Sequence, residues 1–230
     1  MQINNSGKII YTWIVYPEVQ EKATVVLVIH ENKGLNDWAR QMADDIAAQG
    51  YIAVAPDLLS SFSNEKKRTS DFTSEDEATK ALYTISSGAV VSDLNAVYAY
   101  ANKLSAANGK VVSAGFCRGG SQSFLYATAN PELDRSFVFY GTAPENTGLF
   151  ASIVSPVIAY YGGDDARVNA TISGTQQAMK DLGKEFDFRI YSGAGHAFMR
   201  SAVMPDAKQA NVDARIQAFA SMLDELKSLK

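Results

Sequence analysis

The 230-residue sequence has little of several features that would place a protein in a specialised class. Its single cysteine cannot form an internal disulfide, so cysteine usage leaves the cellular compartment open. No apolar run approaches the roughly 20 residues that cross a membrane, and the start of the chain lacks the basic and then apolar segments of a signal peptide. We expect a cytoplasmic protein that does not bind membranes, or a periplasmic or secreted one if a leader has been removed.

Positive charge is also scarce. The chain has 21 Lys and Arg residues against 25 Asp and Glu residues, a net charge of −4, and it contains no stripe of Lys and Arg. Nucleic acid is therefore not an expected partner. Apolar material is plentiful, because 47% of the residues are hydrophobic and can build a sizeable core. Since the sequence shows neither a repeat nor a linker, we predict one domain over residues 1–230.

Strand patterns and helix patterns alternate along the chain. Short apolar runs rich in β-branched residues predict strands at residues 9–16, 24–30, 51–55, 110–114, 137–140, 157–161 and 186–191. Helical spacing and capping residues predict helices at residues 37–49, from 73, from 88, after 117, at 169–182 and at 205–229. The polar segment between the third strand and the second helix predicts a solvated loop. This alternation predicts an α/β fold with a mostly parallel central sheet and helices on both faces.

The lone cysteine lies in a glycine-rich segment. Residues 115–120, Gly-Phe-Cys-Arg-Gly-Gly, follow a predicted strand and precede a predicted helix. This is the pattern of a nucleophile elbow, Gly-x-Ser-x-Gly, with sulfur in place of the serine oxygen. Gly115 and Gly119 permit a sharp turn that exposes Cys117, and the helix N-terminus favours its thiolate. Because an isolated cysteine is more often a small buried hydrophobe, the rest of the sequence has to decide its role.

Other reactive residues also follow predicted strands. Active sites of open parallel sheets lie beyond the carboxyl ends of the strands. The polar residues at such positions are Glu31, Asp57, Cys117, Asp164, Asp165 and His196. Their order, nucleophile then acid then histidine, is the order found in α/β-hydrolases.

These positions predict a catalytic triad. Histidine is the residue type that both accepts and donates protons near neutral pH, so His196 is the candidate to take the proton of Cys117 and later give it to a leaving group. A carboxylate would orient the imidazole, and both Asp164 and Asp165 are candidates. The backbone N–H groups of Arg118 and Asn32 are placed to form an oxyanion hole.

Four other residues can have either a structural or a functional role. His30 ends a buried strand where no triad order uses it, so we interpret it as a structural histidine with satisfied hydrogen bonds. Asp57 is interpreted as a turn residue. Glu31 is either a solvated loop charge or part of the site beside the oxyanion loop. Arg200, four residues after His196, is either a surface residue or a bidentate partner of a substrate carboxylate.

By these residues the chain resembles the dienelactone hydrolase (carboxymethylenebutenolidase) family of the α/β-hydrolase superfamily. The matching stretches cover nearly the whole chain in family order: residues 30–36, 54–58, 115–120, 140–141, 161–165 and 195–198. The cysteine elbow together with the glutamate loop is the specific part of the match, since the glycines alone are common.

The resemblance implies roles for individual residues. It implies Cys117 as nucleophile, Asp165 rather than Asp164 as the acid, and His196 as base. It implies that Glu31 contacts the resting thiol until substrate displaces it. We also assign Arg200 and Lys33 to substrate binding, Arg200 because it matches an arginine that holds the substrate carboxylate.

The resemblance also implies the reaction. Family members hydrolyse the lactone ring of dienelactone through an acyl-enzyme, without a metal or a cofactor. We therefore expect a small, anionic lactone or ester as partner, and a monomer or small homo-oligomer. One region departs from the family pattern: residues 75–83 are acidic, and Lys80 is their only cation where a second substrate-binding arginine is expected. Two alternatives stay open, a carboxylesterase or thioesterase with another substrate and a non-catalytic thiol sensor.

Overall fold

The computed structural model describes residues 1–229, in which eight strands alternate with helices. The strands are β1 (Gln2–Asn5), β2 (Lys8–Val15), β3 (Ala23–Ile29), β4 (Ile52–Pro56), β5 (Ala107–Phe116), β6 (Arg135–Phe139), β7 (Val157–Gly162) and β8 (Phe186–Tyr191). The helices are α1 (Asp37–Ala47), α2 (Glu75–Thr84), α3 (Ser87–Ala101), α4 (Arg118–Ala129), α5 (Ala166–Asn169), α6 (Ile172–Asp181), α7 (Phe198–Ser201) and α8 (Gln209–Lys227). The strand order is β1-β2-β4-β3-β5-β6-β7-β8. The predicted α/β fold with a mostly parallel sheet is confirmed.

The chain divides into two compact units, residues 1–113 and the residues from 114 onward. Strand β5 begins in the first unit and ends in the second. The interpretation of residues 1–230 as one domain stays a prediction.

In the first unit, a parallel pair of buried strands forms the core. Every residue of β3 and of β4 is buried, and the two strands pair in parallel with Val26 opposite Ala53. Strand β2 pairs antiparallel with β4 and with β1. The turn between β1 and β2 places Ser6 and Gly7 at positive φ, 49° and 95°, as tight hairpin turns require. Strand β1 was not predicted, because its polar sequence carries no apolar alternation.

The helices of the first unit begin at side-chain caps. The Asn36 side chain accepts a hydrogen bond from the backbone of Ala39 at the start of α1, and Ser74 and Ser86 cap α2 and α3 in the same way. Such caps satisfy N–H groups that the helix itself leaves unpaired. The predicted loop after β4 contains one short 3-10 helix at Thr69–Asp71.

In the second unit, β6, β7 and β8 are parallel neighbours. Buried residues of α4, these strands, α6 and the 3-10 helix Thr147–Ser152 form one apolar cluster that includes Phe124, Val138, Phe150, Tyr161 and Met179. Each fully buried side chain of this size contributes about 1.5–3 kcal/mol relative to exposure. This cluster holds the carboxyl ends of β6 and β7 in place, and the loops of the candidate site begin there.

The second unit differs from the prediction in three places. The helix predicted at residues 169–182 is α6, which begins at Ile172, and the short helix α5 that precedes it was not predicted. The four-residue helix α7 was not predicted, since it is too short for helical periodicity. The last helix begins at Gln209 rather than at 205, because turns occupy the residues after Pro205. Among the described residues, no helix combines the length and apolar character that a membrane crossing needs.

Candidate active site

Cys117 occupies a strained turn between β5 and α4. Its backbone angles are φ 54° and ψ −117°, a combination that residues with a side chain rarely adopt. Such strain costs on the order of 1–3 kcal/mol and is found mainly at functional sites. The Cys117 N–H donates to the carbonyl oxygen of Phe139 (3.0 Å), and its carbonyl oxygen accepts from the N–H of Ser121 (3.2 Å). The predicted elbow is therefore present, with its sulfur at the N-terminus of a 12-residue helix.

Three glycines make room for this turn. A Cβ on Gly115 would lie 1.9 Å from the carbonyl oxygen of Gly119, and one on Gly120 would lie 2.6 Å from the carbonyl oxygen of Phe139. A Cβ on Gly141 would lie 2.3 Å from the backbone nitrogen of Ser121. All of these are backbone contacts, so no side-chain movement could relieve them. The glycines thus let α4 pack directly against the ends of β5 and β6.

His196 forms hydrogen bonds on both sides of its ring. Nδ1 lies 2.5 Å from Oδ2 of Asp165, and Nε2 lies 3.1 Å from Sγ of Cys117. A carboxylate only accepts, so the neutral imidazole carries its proton on Nδ1 and accepts at Nε2 from the thiol. The histidine side chain is 32% exposed and the aspartate side chain only 5%. The structure therefore brings the three predicted residues into one chain of hydrogen bonds.

The structure also distinguishes the two aspartates. Asp165 is buried, and its other oxygen, Oδ1, accepts from the Val168 N–H at the start of α5 (3.4 Å). Asp164 is exposed, and its backbone N–H donates to the Ala194 carbonyl oxygen (2.9 Å). Asp165 is consequently the residue bonded to the histidine.

Two asparagines that were not predicted to belong to the site hold its loops in place. Asn169 donates from Nδ2 to the carbonyl oxygens of Gly162 (2.9 Å) and Gly163 (3.2 Å), in the turn that precedes Asp165. The buried Asn211 accepts at Oδ1 from the N–H of Gly195 (2.9 Å), one residue before the histidine. Each asparagine fixes the backbone beside one member of the hydrogen-bonded chain. Neither has a local sequence signal, because each acts on a loop that precedes its own helix.

The Tyr140 ring supports the histidine from the side. It meets the His196 ring edge to face, with centroids 5.2 Å apart, and is itself fully buried. Its backbone has a positive φ of 42°, and its N–H donates to the Tyr160 carbonyl oxygen (2.8 Å). Phe198 packs on the same ring at 5.2 Å. This aromatic packing limits the rotation of the imidazole. The Tyr140-Gly141 pair was part of the family resemblance, but its packing role was not predicted.

The remaining predicted site residues are divided between the two units. In the first unit, Glu31 is buried at 3% exposure directly after β3. Asn32 is half-buried and its carbonyl oxygen accepts from the Thr79 hydroxyl (2.8 Å), while Lys33 forms an ion pair with Glu75. In the second unit, Arg118 is the first residue of α4, and Arg200 lies half-buried in α7.

His30 and Asp57 have the structural roles expected of them. The His30 ring is 1% exposed, with Nδ1 against the Glu31 carbonyl oxygen (2.7 Å) and Nε2 accepting from the Leu58 N–H (3.1 Å). Asp57 accepts from the Leu59 N–H (3.0 Å) and from the Thr69 N–H (2.6 Å), which fixes the turn after β4. Both side chains use their polar atoms within the first unit.

The hydrogen-bonded chain at Cys117 can perform acyl transfer. An imidazole between a carboxylate and a thiol can accept the thiol proton, and the carboxylate stabilises the imidazolium that forms. The N-terminus of α4 favours negative charge at the sulfur. Within residues 1–229, no group of three or more His, Cys, Asp and Glu residues is arranged to hold a metal ion.

A model of the dienelactone hydrolase family matches residues 10–229. The chain belongs to this family. A carboxymethylenebutenolidase of Pseudomonas putida is 30% identical over 78% of this chain and 77% of its own length. A protein of Saccharolobus solfataricus, provisionally named a carboxymethylenebutenolidase, is 29% identical over 94% of this chain and 95% of its own. As a member of the family, the chain is an ester-bond hydrolase.

Solved structures support the fold of this family member. A protein from Klebsiella pneumoniae subsp. pneumoniae MGH 78578, provisionally named a dienelactone hydrolase, superposes with a TM-score of 0.84. The match covers 98% of this chain and 96% of that one at 21% sequence identity. At this sequence identity the comparison shows the fold alone, so the function has to be argued from the site.

Proposed function

We propose that this chain hydrolyses a small carboxylic ester or lactone through a thioester acyl-enzyme on Cys117. The observation that carries the proposal is the pair of hydrogen bonds at His196, 3.1 Å to the sulfur and 2.5 Å to the carboxylate of Asp165. The relatives named carboxymethylenebutenolidase support the substrate class, because that activity opens a lactone ester bond.

Acylation begins with the thiol proton. Nε2 of His196 takes this proton, and the Cys117 thiolate attacks the ester carbonyl carbon, forming a C–S bond and an oxyanion. The backbone N–H groups of Arg118 and Asn32 are assigned to the oxyanion. The intermediate then collapses, the C–O bond of the ester breaks, and the leaving alcohol takes the proton from the imidazolium.

Deacylation reverses the roles. The imidazole takes a proton from water, and the hydroxide attacks the thioester carbonyl. The C–S bond then breaks, releasing the carboxylic acid, and the thiolate recovers its proton from the imidazolium. In a lactone the alcohol and acid products are the two ends of one molecule.

Glu31 is proposed to keep the thiol unreactive until substrate binds. Support comes from its position directly after β3, where it is buried at 3% exposure and where the family resemblance expects the glutamate that contacts the resting thiol. Glu31→Gln should then raise the rate at which iodoacetamide alkylates Cys117. An unchanged alkylation rate would count against this role and leave the acyl-transfer proposal standing.

We propose that Arg200 binds the carboxylate of an anionic substrate. Lys33 is proposed to contact the same carboxylate once its ion pair with Glu75 opens. Arg200→Ala should raise KM for an ester that carries a carboxylate and leave a neutral ester almost unaffected. Arg189→Ala, which removes an exposed arginine of β8, is the matched control. Equal KM changes for both esters would remove the anionic preference.

A substrate panel tests the whole proposal. Dienelactone, a neutral lactone, p-nitrophenyl acetate and a thioester are offered to wild type, Cys117→Ala and Cys117→Ser. Cys117→Ala should lose turnover of every substrate, and Cys117→Ser should be strongly impaired, since a serine hydroxyl is harder to deprotonate at a site suited to a thiol. Turnover of p-nitrophenyl acetate or of the thioester, but of neither lactone, would indicate a carboxylesterase or a thioesterase instead. No turnover of any ester would indicate a thiol sensor.

A further inference from the structure

Residues of the first unit alone enclose a cavity of about 470 Å³. Its walls include Tyr11, Trp13, Leu35, Arg40, Asp57 and Arg68. The volume falls within the roughly 300–1,000 Å³ of small-molecule sites in proteins. None of the lining residues takes part in the acyl-transfer mechanism.

Arg68 presents unused hydrogen-bond donors at this cavity. Its guanidinium lies over the Tyr11 ring, with the central carbon 4.2 Å from the ring centroid. Stacking of this kind uses the flat face of the guanidinium and leaves its in-plane N–H groups free for other partners. Within residues 1–229, Arg68 forms no ion pair with a carboxylate.

Arg40 supplies a second, fixed guanidinium. One of its terminal nitrogens donates to the Leu35 carbonyl oxygen (2.9 Å) and the other to Asp37 (2.5 Å). A guanidinium has five N–H donors, so these two bonds hold it in place without using up its capacity. Its conformational entropy is therefore already lost before any ligand binds.

The single carboxylate of the wall does not compete for these cations. Asp57 accepts from the Leu59 N–H (3.0 Å), the Thr69 N–H (2.6 Å) and the Thr69 hydroxyl (2.8 Å). Three hydrogen bonds hold its carboxylate against its own turn and against Thr69 of the 3-10 helix. The wall thus has two guanidinium groups: Arg40 already pairs with the exposed Asp37, which is not part of the wall, and Arg68 is the cation that can pair with a ligand.

The same wall offers aromatic surface. Trp13 is 43% exposed, unusual for so large an apolar side chain, and its indole N–H donates to Asp44 (3.2 Å). Tyr11 and Trp13 alternate with Thr12 along β2 and so lie on the same face of the strand. Flat apolar rings of this kind stack with planar ligands.

We propose that this cavity binds a small aromatic carboxylate. The guanidinium groups of Arg68 and Arg40 would hold the carboxylate through charge-assisted hydrogen bonds, and Tyr11 and Trp13 would contact the ring.

Tryptophan fluorescence tests the proposal on the full chain. Trp38→Phe leaves Trp13 as the only tryptophan, since the chain has two. Cys117 is alkylated beforehand, so that the candidate active site does not contribute. Titration with benzoate should give saturable quenching, and the neutral isostere benzamide should bind about tenfold or more weakly, because a charge-assisted hydrogen bond contributes about 1.5–3 kcal/mol.

Arginine variants distinguish a specific binding site from nonspecific binding. Arg68→Gln should weaken benzoate binding by about tenfold or more, and Arg189→Gln, on an exposed position of the second unit, should not change it. Arg40→Gln gives an independent variant if circular dichroism shows Arg68→Gln to be misfolded. Absence of saturation, equal affinity for benzoate and benzamide, or unchanged binding in a folded arginine variant would overturn the proposal.

Discussion

The approach of Gly115 to the start of α4 allows the most quantitative prediction. A Cβ at this position would lie 1.9 Å from the Gly119 carbonyl oxygen, whereas real Cβ atoms almost never come closer than 3.0 Å. Gly115→Ala therefore requires the two segments to separate by at least 1.1 Å, the difference between these distances. The other close atoms, at 2.4 and 2.9 Å, are also backbone, so the whole turn has to move.

Two effects follow from this movement. Forcing extra volume into a packed site costs about 1–3 kcal/mol of the free energy of unfolding. Cys117 is two residues away, and its sulfur is bonded to His196 at 3.1 Å, so a shift of this size breaks the bond. A misplacement of about 1 Å can cost on the order of 10²-fold in rate, which corresponds to about 2.7 kcal/mol in the activation free energy.

The control for this assay is a second glycine, at which an added methyl group meets no neighbouring atom. Gly174 in α6 has no atom within 4 Å of an added Cβ, and alanine in a helix is favoured by up to about 1 kcal/mol over glycine. Urea denaturation followed by circular dichroism and turnover of p-nitrophenyl acetate should show Gly115→Ala destabilised and slow, and Gly174→Ala at least as stable and as active as wild type. Equal stability and equal rates in the two variants would refute the reasoning.

Three further predictions concern side chains. Asp165→Asn should lower kcat by on the order of 10⁴-fold, because an amide no longer holds His196 in the correct tautomer or stabilises the imidazolium, and Asp164→Asn should not; similar rates in the two variants would contradict the assignment. Asn211→Ala should destabilise the fold by about 1–3 kcal/mol, because it leaves a backbone N–H unpaired, and should lower kcat more than it changes KM; a change confined to KM would argue against a positioning role. The hydrogen bond from Lys66, assisted by Thr73, lowers the pKa of Glu77 from 4.5 to about 2. Its ionised form therefore stabilises the fold above pH 4.5, and this contribution disappears as the pH falls toward about 2. Urea titrations should show the stability difference between wild type and Glu77→Gln narrowing over that range, and a constant difference would refute the pairing.

The core of the candidate site was predictable because its residues are tied to local patterns. A sharp turn between a strand and a helix requires glycines near Cys117, and the carboxyl ends of parallel strands meet at one edge. Residue patterns alone left Asp164 and Asp165 equivalent, since both follow β7. Only the family resemblance and then the burial of Asp165 separate them.

The supports of the site could not be predicted, because they depend on contacts distant in sequence. Asn211 bonds to Gly195, which lies 16 residues earlier in the chain. Tyr140 packs against His196, and strands β7 and β8 lie between these two residues in the chain. The polar strand β1 forms because β2 offers it a hydrogen-bonding edge. Helical periodicity does not reveal α5, because its four residues make little more than one turn.

The claim that Cys117 carries the acyl group is tested most directly by trapping the intermediate. The enzyme is mixed with p-nitrophenyl acetate, quenched in acid during the first turnover and digested for peptide mass spectrometry. One acetyl group is expected on Cys117, with a burst of p-nitrophenol equal to the enzyme concentration, and both should vanish in Cys117→Ala. An acetyl group on a serine instead, or steady turnover in Cys117→Ala, would contradict the mechanism.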